Sequence, residues 1–154
     1  LAPCTGKCKT GLPYVTKKVG AVTIVSKPRG TDTTSVWSDL NKQFCGKDGE
    51  GITAATYCDG MCPPTPEVGV TDVTWKKTGS FFNRGCGENL KFSAFHKNHS
   101  KMGVCNNLKL DTVIIGGNNH AIESQGPRGG LFVVINSKEL SQTFRCLFSD
   151  EKKV

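Results

Sequence analysis

Long apolar runs are missing from this chain of 154 residues. The longest, Leu131–Ile135, is one strand's worth, far short of the roughly 20 residues a membrane-spanning helix needs. No membrane span is therefore expected. Aromatic side chains with a polar handle are equally sparse. Two tyrosines and two tryptophans leave no aromatic interleaving of the kind that stacks bases, so nucleic acid is not expected as a partner. Neither a G-x-S-x-G elbow, nor a phosphate-loop Lys-Ser ending, nor a dinucleotide fingerprint occurs, which removes the usual motif-borne hydrolase and nucleotide chemistries. Paired carboxylates are scarce too, Asp48 and Glu50 falling in a turn-rich stretch. No internal repeat is present.

Cysteine, by contrast, is plentiful. There are eight: Cys4, Cys8, Cys45, Cys58, Cys62, Cys86, Cys105 and Cys146. A chain of this length buries roughly 70% of its unfolded surface and does not need cross-links merely to own a core. Eight thiols spread along it point to an oxidising compartment and disulfides. The C-x-x-x-C spacing at Cys4/Cys8 and Cys58/Cys62 would also suit a tetrahedral zinc site, but that would leave the other four cysteines unexplained. Disulfides are the expectation, and no metal or cofactor is expected. Asn98-His99-Ser100 is a glycosylation sequon in a polar stretch. The opening Leu-Ala-Pro-Cys resembles a mature secreted product after leader removal. Secreted, extracellular protein is the expected localisation.

The net charge of +7 is scattered, with short clusters at Lys7/Lys9, Lys17/Lys18 and Lys76/Lys77. Such a field favours acidic partners. A protein or acidic glycan is the expected class.

One amphipathic helix is predicted near residues 34–45. Thr33, Thr34 and Ser35 offer capping oxygens, Val36, Trp37, Leu40 and Phe44 recur at helical spacing, and Gly46 stops it. A disulfide from Cys45, at the end of that stripe, would staple the helix to a sheet. The remainder reads as mainly β, a disulfide-stabilised β-sandwich or barrel. Residues 1–18 read as a pinned tether, and 19–26 as the first strand. Residues 46–67 read as loop, with Pro63, Pro64 and Pro66 forbidding regular structure. Strands are predicted from Val68, over 89–96, over 108–115 and over 131–135, the last apolar throughout and so expected to be buried on both faces. Asn136 to Glu139 reads as a capping box opening a short helical turn, before a last strand over 143–148. The whole is one domain of 154 residues: a cysteine- and turn-rich part with the helix over 1–67, and the main sheet over 68–154.

Two loops hold the candidate functional residues. His96, Lys97 and His99 lie in one; three histidines, with His120, could hold zinc, but the spacing lacks the helix and glutamate of a zinc-hydrolase motif. The glycine-rich connection over 116–130 holds the other binding-loop residues, Asn118, Asn119, His120 and Arg128. Within it His120, Glu123 and Arg128 are the types a metal-independent ribonuclease uses as acid, base and phosphate-binding cation. A connection of about 15 residues between core strands is uncommon without a role; the competing reading is a loop whose glycines simply supply unusual dihedrals. The expected function is a secreted, disulfide-rich binding protein of the virulence-effector or toxin-like kind, acting on a host or extracellular partner through these loops. The alternatives are a small secreted hydrolase of polyanions, ribonuclease-like, and an excerpted ectodomain of a surface or viral envelope glycoprotein.

Overall fold

The computed structural model describes residues 13–30, 35–46, 51–56, 69–75, 78–80, 91–93, 100–120 and 128–152. They form a mainly β architecture around one mixed sheet. Its strands are β1 (Val15–Val19), β2 (Val22–Lys27), β3 (Ile52–Ala55), β4 (Val70–Trp75), β7 (Met102–Cys105), β8 (Thr112–Gly116), β9 (Gly130–Asn136) and β10 (Phe148–Lys152). They lie in the order β1-β2-β9-β8-β7-β3-β4-β10. All pairings are antiparallel except β3 with β4. β10 meets β4 at Phe148↔Trp75 and Lys152↔Val73 with an irregularity between. A separate two-stranded sheet pairs β5 (Thr78–Ser80) with β6 (Lys91–Ser93). The main sheet is not closed, and it draws strands from both sides of the Pro63–Pro66 stretch.

Helix α1 (Val36–Phe44) forms as its pattern demands. The Ser35 hydroxyl accepts from the Ser38 amide at 3.0 Å, satisfying a donor that has no intrahelical acceptor. Val36, Trp37 and Leu40 are fully buried. At the end of the helix, Cys45 is bonded to Cys105 at the end of β7, across 60 residues of sequence. Closing a loop of that length removes unfolded-state entropy equivalent to about 4 kcal/mol. The helix is stapled to the sheet, as the position of Cys45 predicts.

The pleat divides the apolar side chains between two faces. Val25, Ile52, Ala54, Cys105, Ile114, Phe132 and Val134 pack with α1. Ala55, Val104 and Val113 pack instead with Phe144, and Leu140 lies against them. Phe144 and Leu140 belong to α2 (Lys138–Leu147), which docks on β7 and β8. The sheet therefore carries one described helix on each face.

Several sequence expectations are corrected. A second helix exists: α2 runs through residues 143–147, where alternation predicted a strand. Leu140 and Phe144 are four apart, on one helical face, and that spacing prevails over the alternation. Its cap is Ser137, whose hydroxyl accepts from the Leu140 amide at 3.2 Å, while the Asn136 side chain accepts from Thr112 across the sheet. Residues 15–18, read as tether, form an edge strand with Val19. The strand expected over 19–26 is split by a two-residue turn that joins this edge strand to β2 and has Gly20 at φ +60°, where primed hairpin turns place glycine. β3 arises within the stretch read as loop. β8 begins at Thr112, because Asn107 turns the chain back: its side chain accepts from the Lys109 amide at 2.8 Å and its carbonyl from Leu110 at 3.0 Å. β9 is not buried on both faces. Phe132 and Val134 are buried, but Leu131 is 55% exposed, the helix on that face, α2, packing mainly on β7 and β8.

Candidate functional site

The pairing pattern makes β2, β3, β4 and β8 run in one direction, with β1, β7 and β9 opposed. One end of the sheet thus gathers Tyr14 before β1, Lys27 closing β2, Thr56 after β3, and both described ends of the β8–β9 connection. Its neck is closed by a bond from the Gly117 amide to the Leu131 carbonyl at 2.9 Å.

The first part of the connection turns inward. Asn118 and His120 are each 2% exposed. The indole of Trp37 donates to the Asn118 carbonyl at 3.1 Å, and the His120 amide donates to the Thr56 hydroxyl at 3.0 Å. Trp37 in turn lies edge-on to Phe132, with ring centroids 6.0 Å apart. Helix and sheet together hold this segment by its backbone. The glycine chemistry of the loop is spatial, since a Cβ on Gly130 would lie 1.7 Å from the Asn118 side-chain oxygen. None of the described glycines of the connection takes a positive φ, so room for neighbours, not unusual dihedrals, is what they provide.

The described end of the connection, residues 128–130, faces outward at Arg128. Arg128 is exposed, while its carbonyl accepts from the Lys27 ammonium at 2.5 Å. Lys27 is itself 2% exposed. Burial strips water from the ammonium and pulls its pKa below the ordinary lysine value, an effect the charge of Asp39 partly offsets. Asp39, on α1, accepts from the Tyr14 hydroxyl at 2.9 Å. A buried cation and a helix carboxylate thus stand behind the loop's exit. Lys101, whose carbonyl accepts from the Gly116 amide at 2.8 Å, is also desolvated and its pKa lowered.

Of the residues singled out in the sequence, His120, Asn118 and Asn119 sit together at this sheet end, the first two buried and Asn119 half-buried. Arg128 is at its rim. Glu123, His96, Lys97, Asn98 and His99 lie outside the described residues. So do Cys4, Cys8, Cys58, Cys62 and Cys86, whereas Cys45, Cys105 and Cys146 are all disulfide-bonded. Among the described residues, no group of three or more His, Cys, Asp or Glu side chains could hold a metal ion. Sequence reasoning missed Lys27, Thr56 and the Tyr14–Asp39 pair. Lys27 had a signal: it is in phase with Val25 on a strand, which places it on the buried face.

Chemically, the arrangement is a connection whose described start is anchored in the core by its backbone and whose described end exposes Arg128. No protein-family model matches the chain, and neither a curated protein nor a solved structure matches it.

Proposed function

We propose that this is a secreted, disulfide-bonded interaction protein, of the effector or toxin-like kind, which presents the Gly116–Gly130 connection to an acidic host or extracellular partner. The observation that carries the reading is the two-sided loop: Asn118 and His120 are held inside by Trp37 and Thr56, while Arg128 stays exposed at the rim. Anchoring of the described ends reduces the conformational entropy that the connection can lose on binding. The described cysteines, all oxidised, suit an extracellular compartment, and a net charge of +7 suits an acidic ligand. The scaffold on this reading is a disulfide-stapled β body whose loops gather at one end, as in a sandwich or barrel. Buried His120 acts as an anchor on this reading, not as a general acid.

The test is a titration with a sulfated glycan, an acidic protein and a neutral glycan at physiological salt, alongside assays for hydrolysis of RNA and polysaccharide. Saturable binding of an acidic ligand, weakened several-fold in Arg128→Ala without loss of fold, is expected. Turnover of RNA or polysaccharide that disappears in His120→Ala would overturn the reading in favour of a hydrolase. Failure of every acidic ligand to bind would also overturn it.

A further inference from the structure

Part of one sheet face is uncovered among the described residues. α2 packs on β7 and β8, and on the same face the β1-β2-β9 corner has no described helix over it. The register puts Val15, Lys17 and Val19 of β1 in line with Ile24 of β2 and with Leu131 and Val133 of β9. Val15 is 61% exposed, Val19 58% and Leu131 55%. β1 is also the edge of the sheet, and all five of its residues are exposed. An edge strand offers a row of main-chain donors and acceptors to an incoming strand.

From this we infer that β1 accepts an extended acidic segment of a partner protein as an additional antiparallel strand. Main-chain bonds to the edge give such a strand its affinity, and side-chain pockets at alternate positions its specificity. Apolar residues at alternate positions would extend over Val15 and Val19 and continue the uncovered face. Carboxylates would stand opposite Lys17 and Lys18. Charge selects this occupant over a second copy of the chain. Antiparallel self-pairing centred on Lys17 sets Lys17 against Lys17, and centring it between the lysines sets Lys17 against Lys18. Like charges directly opposite destabilise a strand pair, and two chains of +7 each repel as well. The inference rests on the β1 edge and not on the Gly116–Gly130 connection, and it stands whether or not that connection binds a partner.

The probe is a blocked peptide with the core Val-Glu-Glu-Thr-Val, the antiparallel complement of residues 15–19, with Val-Lys-Lys-Thr-Val as its control. Amide exchange by NMR reads the site directly. The acidic peptide is expected to slow exchange of edge-facing amides within Val15–Val19 and to bind roughly tenfold more tightly than the lysine control. The Lys17→Glu/Lys18→Glu variant should reverse that preference. Methylating alternate peptide nitrogens should abolish binding in one phase and spare it in the other, because only one edge of the peptide pairs. Equal binding of both peptides, or no binding of the acidic one, overturns the inference. So does a concentration-dependent dimer whose formation buries β1, since a second copy would then be the occupant.

Discussion

Trp37→Phe separates the anchoring of the loop from the general packing of the core. The indole is fully buried and its nitrogen donates to the Asn118 carbonyl at 3.1 Å. Phenylalanine keeps an aromatic ring beside Phe132 but removes that donor. Losing the bond from a buried carbonyl costs about 1–3 kcal/mol. The smaller ring leaves a void of some tens of Å³, which adds about 1 kcal/mol. A total loss of about 2–4 kcal/mol is expected, read as a shift in the urea midpoint with unchanged slope. Native-state amide exchange supplies the local test. The His120 amide, bonded to Thr56, should lose protection beyond the global loss, while amides of the β2–β9 ladder should follow the global change alone. A destabilisation below about 1 kcal/mol, or a His120 amide that tracks the ladder, would refute the idea that Trp37 holds the loop.

Two further perturbations address the frame. Arg145 of α2 donates to the carbonyls of Cys105 at 2.9 Å and Leu110 at 3.1 Å, and to the Ser141 hydroxyl at 3.3 Å. Arg145→Met keeps the stem and removes those donors, and should cost about 2–4 kcal/mol by urea unfolding; a loss under about 0.5 kcal/mol would show the carbonyls to be satisfied by water. Lys27 sets a pH dependence: its folded pKa lies below the ordinary value because of burial, so the unfolded chain binds more protons between the two pKa values. Stability contributed by this group therefore rises with pH through that window and is least below the folded pKa. Lys27→Met should flatten the rise in urea midpoint as pH approaches the ordinary lysine value from below; an unchanged rise would place its origin elsewhere.

Legibility in the sequence followed the range of the interactions. Helix α1, its Ser35 cap and the Cys45 staple were readable because cap, stripe and stop are local and agree. β1 was not: an edge strand that buries nothing needs no alternation, and Lys17-Lys18 in its middle looks like a solvated loop. β3 was hidden for another reason. Ile52–Ala55 is short, and what makes it a strand is pairing with β7 and β4, many residues away. In α2 the alternation of 143–148 competed with the Leu140–Phe144 repeat, and packing against Val104 and Val113 decided between them. At the candidate site the histidine and asparagines stood out by type, but nothing local said that Asn118 and His120 face inward. That depends on Trp37, which precedes Asn118 by 81 residues, and on Thr56, which precedes His120 by 64.

The oxidised, stapled scaffold supports the whole functional reading, and intact-mass measurement of the native protein tests it most directly. With all eight cysteines paired, the native chain is expected to weigh eight hydrogens less than the reduced one. Non-reducing digestion should yield a peptide linking Cys45 to Cys105. Alkylation of either residue in the native protein, or thiols retained together with bound zinc, would contradict it.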